Sequence, residues 1–199
     1  MSISATSALA TTPVPSQVDH TQVDHTARSF TRRLAERRRL ARHDRVPAQL
    51  AELQAARALF AGAATVVEAA WIQHGWFGYR DEQGRERLVG PHNLHEITGR
   101  QLTGACLVGA IVQAGGGLPA ARTGPVHRAL DLSWQALFSV AEPVGYCPSP
   151  ALRIARVRDL TRWNDQPSRT AAEVTALLGA AEQVAARQFE AAVSTRHAA

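Results

Sequence analysis

The run Leu102-Thr103-Gly104-Ala105-Cys106-Leu107-Val108-Gly109-Ala110-Ile111-Val112 constrains this chain more than any other stretch, because it has no charged residue and no polar face. At about ten residues it falls well short of the about 20 that span a bilayer, so the rest of a folded domain has to wrap it. The expectation is one buried helix over this run. Gly104, Ala105, Gly109 and Ala110 would let neighbouring elements approach it closely, despite the helix propensity that two glycines lose.

Length and composition say how much can surround that helix. With 199 residues and 45% hydrophobic content, the chain can bury one core, which suggests one domain plus appendages. All 22 basic residues are arginine, an imbalance that reads as the mark of a GC-rich genome rather than of a particular chemistry. Cys106, inside the apolar run, and Cys147, beside Pro148, do not make a disulfide framework in a chain this long. Reduced thiols in a cytoplasm are expected. The N-terminus lacks the apolar core of a signal peptide and no run reads as a transmembrane segment, so a cytoplasmic location is the expectation.

Residues 1–26 are rich in Ser, Thr and Ala, contain Pro13 and Pro15, and repeat one pentapeptide as Gln17-Val-Asp-His-Thr21 and Gln22-Val-Asp-His-Thr26. Such a segment cannot offset its ordering entropy, and His20 and His25 read as solvated linker rather than metal ligands. Residues 28–45 then carry eight arginines against Glu36 and Asp44, a net of +6, whereas the whole chain is +5. The basicity is therefore local. Phe30, Leu34 and Ala41 fall at helical spacing within it. Arg32, Arg33, Arg37, Arg38, Arg39 and Arg42 are the candidates for following a nucleic-acid phosphate backbone. An anionic membrane surface and a plain solvated leader are the alternatives; the four acidic residues of the leader argue against a transit peptide.

The expected division is a disordered leader over 1–45 and a helical domain over 46–199. Pro47 suits a first helical turn, and Leu50, Leu53, Phe60, Ala64, Val67 and Trp71 recur at three- and four-residue steps toward a stop at Gly75. Trp76 to Val89 reads as a hairpin around Glu82-Gln-Gly-Arg85, burying Trp76 and either Phe77 or Tyr79. His92 and His95 make an H-x-x-H pair, a spacing that can serve a metal with Glu96 or His74 but is more often a plain loop pair; no metal or cofactor is assigned. Gly115-Gly-Gly-Leu-Pro119 breaks the chain, Pro125 opens a helix with the stripe Val126, Leu130, Leu137 and Val140, and Pro143, Pro148 and Pro150 close it. Arg153, Arg156 and Arg158 interleave with Ile154, Val157 and Leu160 in a short amphipathic element ending at Trp163-Asn-Asp165. Thr170-Ala-Ala-Glu173 is a capping box that starts a helix over residues 169 to about 192. The fold class is mostly α: one domain of four or five helices with a small β-hairpin.

Five of these pieces together carry a resemblance: the helix end Trp71 to Gly75, the turn Asp81 to Gly84, Cys106-Leu-Val-Gly-Ala-Ile111, Trp163-Asn-Asp165, and Arg169-Thr-Ala-Ala-Glu-Val174. Over residues 50 to about 190 the chain resembles a group of small actinobacterial and phage proteins of unknown function. The resemblance implies a fold and no activity.

Cys106, with His127 or His95 as base and Asn164 or Asp165 as orienting group, has the residue types of a cysteine nucleophile. Its apolar neighbours argue for a desolvated neutral thiol instead. Asn164 and Asp165 most simply accept hydrogen bonds from backbone amides in the turn before the last helix. No glycine-rich nucleotide motif follows a strand, and no G-x-S-x-G is present. The expected function is a non-enzymatic binding or regulatory protein, with a small cysteine-dependent hydrolase or transferase using Cys106 as the alternative.

Overall fold

A computed structural model describes residues 47–140 and 149–197, all within one compact unit spanning 44–199. The leader with its arginines, and Cys147, lie outside the described residues. Among the described residues, five α-helices and a three-stranded sheet make up the domain.

Helix α1 (Pro47–Ala70) buries Leu53, Ala56, Phe60, Ala63 and Val67, the three- and four-residue spacing that puts side chains on one face. It is long and apolar enough to cross a membrane by length and composition, which the sequence reading did not anticipate. Here that face packs in the core, and Arg57 pairs with Glu182 at 2.7 Å. The helix ends at Ala70 rather than Gly75. Trp71 already bridges Ala105, and the Ile72 amide donates to the Ala105 carbonyl at 3.2 Å, so the competing backbone partner takes the chain out of the helix.

Strands β1 (Phe77–Arg80), β2 (Glu86–Val89) and β3 (Leu102–Ala105) pair antiparallel in the order β2-β1-β3. The expected hairpin is β1-β2. Asp81 builds its turn by accepting from the Gln83 and Arg85 amides, while Gly84 takes the φ of 75° that glycine tolerates. Phe77 and Tyr79, two residues apart on one face of the central strand, are both buried.

The third strand corrects the reading of the apolar run as one helix. Residues 102–105 are a strand, Cys106 is extended at φ −77° and ψ 178°, and helix α2 (Leu107–Ala114) begins only after it. An apolar run fits a central strand and a buried helix equally well, and here it supplies one of each. Gly104 shows why the strand sits where it does: a Cβ there would lie 2.6 Å from Ile72 Cγ2 and 2.8 Å from the Ala70 carbonyl oxygen.

Gly115 to Gly117 close α2, with all three amides donating back to its carbonyls, and a 3-10 turn (Leu118–Arg122) leads to α3 (Gly124–Leu137). Val126 and Leu130 are core, as the stripe implied, whereas Val140 falls beyond the helix end. Pro150 opens α4 (Pro150–Asn164) instead of closing the helix before it. Arg156 of α4 and Asp131 of α3 form a buried pair at 2.6 Å, with the guanidinium 4.9 Å from the Trp134 ring centre.

Helix α5 (Ala171–His197) runs five residues past its expected end. Its capping box is formed in both directions: the Glu173 amide donates to Thr170 Oγ1 at 3.3 Å, and the Thr170 amide donates to Glu173 Oε2 at 2.9 Å. Val174, Leu177, Leu178, Ala181 and Ala185 bury the face that follows. Thr170→Ala should lower the unfolding free energy by about 0.5–2 kcal/mol in chemical denaturation, by leaving the Glu173 amide without its acceptor.

Candidate functional site

Cys106 and Asn164 meet at the start of α2, and what they do there is structural. Cys106 is completely buried and is the N-cap residue, its sulfur accepting from the Gly109 amide at 3.5 Å. Burial pushes the Cys106 thiol up to about 12, against a smaller opposing effect of backbone amides, so it stays protonated near neutral pH. Asn164, also fully buried, accepts on Oδ1 from Trp71 Nε1 at 2.9 Å and from the Leu107 amide at 3.1 Å. Its Nδ2 donates to the Ile72 carbonyl at 3.2 Å and to Asp165 Oδ1 at 2.9 Å. Asp165 Oδ1 also accepts from the His74 amide at 2.9 Å, holding His74 at a φ of 63°. The amides these two residues satisfy thus belong to α2 and to the link after α1, not to the turn before α5.

The concave surface nearby is a different place. A cleft of about 620 Å³ opens where α3, α4 and the 3-10 turn meet the link between α1 and β1. Trp76, Val112, Leu130 and Val157 give it apolar walls, and His127, His92 and three arginines of α4 (Arg153, Arg158 and Arg162) give it its polar lining. Asp165 is the one carboxylate residue among its described lining residues, and that carboxylate already accepts from the His74 amide and from Asn164 Nδ2. Arg158 and Arg162 sit one helical turn apart, are exposed, and make no ion pair among the described residues. His127 is held below the usual imidazole range, first by burial and then by the Arg153 charge, so the neutral ring is favoured. Trp76 Nε1 is buried and has no hydrogen-bond partner among the described residues.

Of the residues expected to work together, His127 lines this cleft while Cys106 and Asn164 do not. His95 lies in a separate 3-10 turn (Leu94–Ile97), and His92 faces the cleft without it. Among the described residues no three His, Cys, Asp or Glu side chains gather as metal ligands would. A second cavity, about 730 Å³ and lined by Gly116, Gly117 and Arg100, has no phosphate cradle at its glycines, since those amides close α2. Trp76 was expected to be buried by the hairpin rather than to line a cleft, and the arginine Arg162 was not singled out by sequence. The available signal was the i, i+4 pair Arg158 and Arg162 beside exposed Ile154 on a helix whose buried residues are few.

A model of a family of unknown function, DUF6197, matches residues 51–184, and the chain belongs to that family. No curated protein and no solved structure matches it.

Proposed function

We propose that this member of DUF6197 is a non-enzymatic binding protein whose ligand occupies the cleft between α3 and α4. The observation that carries the reading is a concave, apolar-walled space with convergent cations, of the size that small-molecule sites have. The alternative, a hydrolase or transferase using Cys106, asks for an accessible thiolate, and the buried, protonated cap described above offers little support for one. Alkylation of the native chain with iodoacetamide is the test. Cys106 should react only after denaturation; rapid modification of native Cys106 at neutral pH would favour the enzyme.

A second reading concerns the arginines of residues 28–45, favoured by the contrast between their net +6 and a formal charge of only +1 over 46–199. We propose that any nucleic-acid contact is made by that segment, through phosphates. With up to about eight arginines engaged, the slope of log K against log salt on duplex DNA should approach about −7. Deleting residues 1–45 should abolish binding; binding that survives the deletion would contradict it. A cytoplasmic location and kinship with small actinobacterial and phage proteins belong to the same proposal, supported by the thiol chemistry and by the C-x-x-G-A-I and W-N-D motifs.

A further inference from the structure

We infer that the α3–α4 cleft selects a small organic anion with an apolar body, a ring or short chain ending in a carboxylate or phosphate; this rests on the cleft being the ligand site. Charge is the first argument. Arg158 and Arg162 line the cleft without ion-pair partners among the described residues, Arg153 adds a third arginine, and the one carboxylate among the described lining residues already accepts from a backbone amide and an asparagine. A neutral apolar ligand would use none of this. An anion end would exchange water for guanidinium donors, whose fork matches carboxylate and phosphate oxygens.

Shape and desolvation make the second argument. Trp76, Val112, Leu130 and Val157 offer an apolar wall that a simple inorganic anion would leave uncovered. Trp76 adds aromatic area to that wall, which suits a ring-bearing ligand body. His127 is the third. Burial first, and then the Arg153 charge against an opposing Asp131, favour its neutral ring, so it adds a hydrogen-bonding group to the lining and no charge of its own.

The test uses the full chain and two fluorescent probes of similar shape, the anionic anilinonaphthalene sulfonate and the neutral phenylnaphthylamine, with the double variant Arg158→Gln/Arg162→Gln. Both arginines are exposed, so the variant should fold as the parent does, which its thermal unfolding checks. The anionic probe should bind the parent at one site and the variant at least about tenfold more weakly, about 1.4 kcal/mol. The neutral probe should bind both proteins weakly and alike. Equal binding of the two probes to the parent, with occupancy of the cleft, would overturn the anion preference and leave the cleft as a binding site. Anionic binding unchanged in the double variant would place the probe on other arginines and overturn the inference. Failure of both probes to bind would count against the cleft as a ligand site at all.

Discussion

Asn164→Ala should destabilise the domain by about 3–5 kcal/mol in chemical denaturation, far more than the loss of one polar surface group. One amide side chain joins three elements: the link after α1, the start of α2 and the end of α4. Truncation leaves the Trp71 indole N–H, the Leu107 amide and the Ile72 carbonyl without their partner where no water reaches Asn164. Each such buried group costs about 1–3 kcal/mol, and relaxation keeps the sum below the simple total. Asn164→Asp should also be costly. It keeps the acceptor but loses the donor to Ile72, and it sets a second carboxylate beside Asp165. A loss below about 1 kcal/mol for Asn164→Ala would mean that the three elements hold together by packing alone.

Gly109→Ala should be of the same order, about 3 kcal/mol or more, for a steric reason. A Cβ at Gly109 would sit 2.0 Å from the Trp76 carbonyl oxygen and 2.9 Å from its carbon, both backbone atoms with no rotamer to escape into. The obstruction is firmer still because the Cys106 amide donates to that same oxygen at 3.1 Å. Alanine's better helix propensity, about 1 kcal/mol, is too small to compensate. Gly179→Ala provides the opposite sign within α5, since nothing lies within 4 Å of a Cβ there. It should stabilise by about 0.5–1 kcal/mol. If both alanines stabilise, α2 and β1 are further apart than described.

Which parts of this were legible in the sequence follows from which interactions are local. The α5 cap and the β1-β2 turn involve side chains two to four residues from the groups they bond, so Thr170, Glu173, Asp81 and Gly84 announce themselves by spacing. The buried faces of α1 and α5 were visible as well, because their period is that of the helix. The split of residues 102–112 into β3 and α2 was not visible. It depends on β1 and on the backbone of residues 70–72 lying alongside, contacts made by residues distant in the chain. Asn164 was recognised as an acceptor of amide hydrogen bonds, but its donors come from 57 and 93 residues away, beyond any local pattern. The cleft was least legible, for its lining draws on residues from Trp76 to Asp165 that share nothing in sequence except arginine, which this chain uses everywhere.

The central claim is that the cleft, rather than the Cys106 site, receives the ligand, and the indole N–H resonances of the full chain test it most directly. The Trp71 N–H is committed to Asn164 beside Cys106, and the Trp134 N–H to Asp159 at 3.2 Å, while the Trp76 indole belongs to a wall of the cleft. Titration with anilinonaphthalene sulfonate should shift the Trp76 indole N–H saturably while leaving those of Trp71 and Trp134 in place, and the Arg158→Gln/Arg162→Gln variant should require at least about tenfold more probe for the same shift. A saturable shift of the Trp71 resonance with Trp76 unmoved would contradict the account, because the ligand would then be entering beside Cys106 and Asn164.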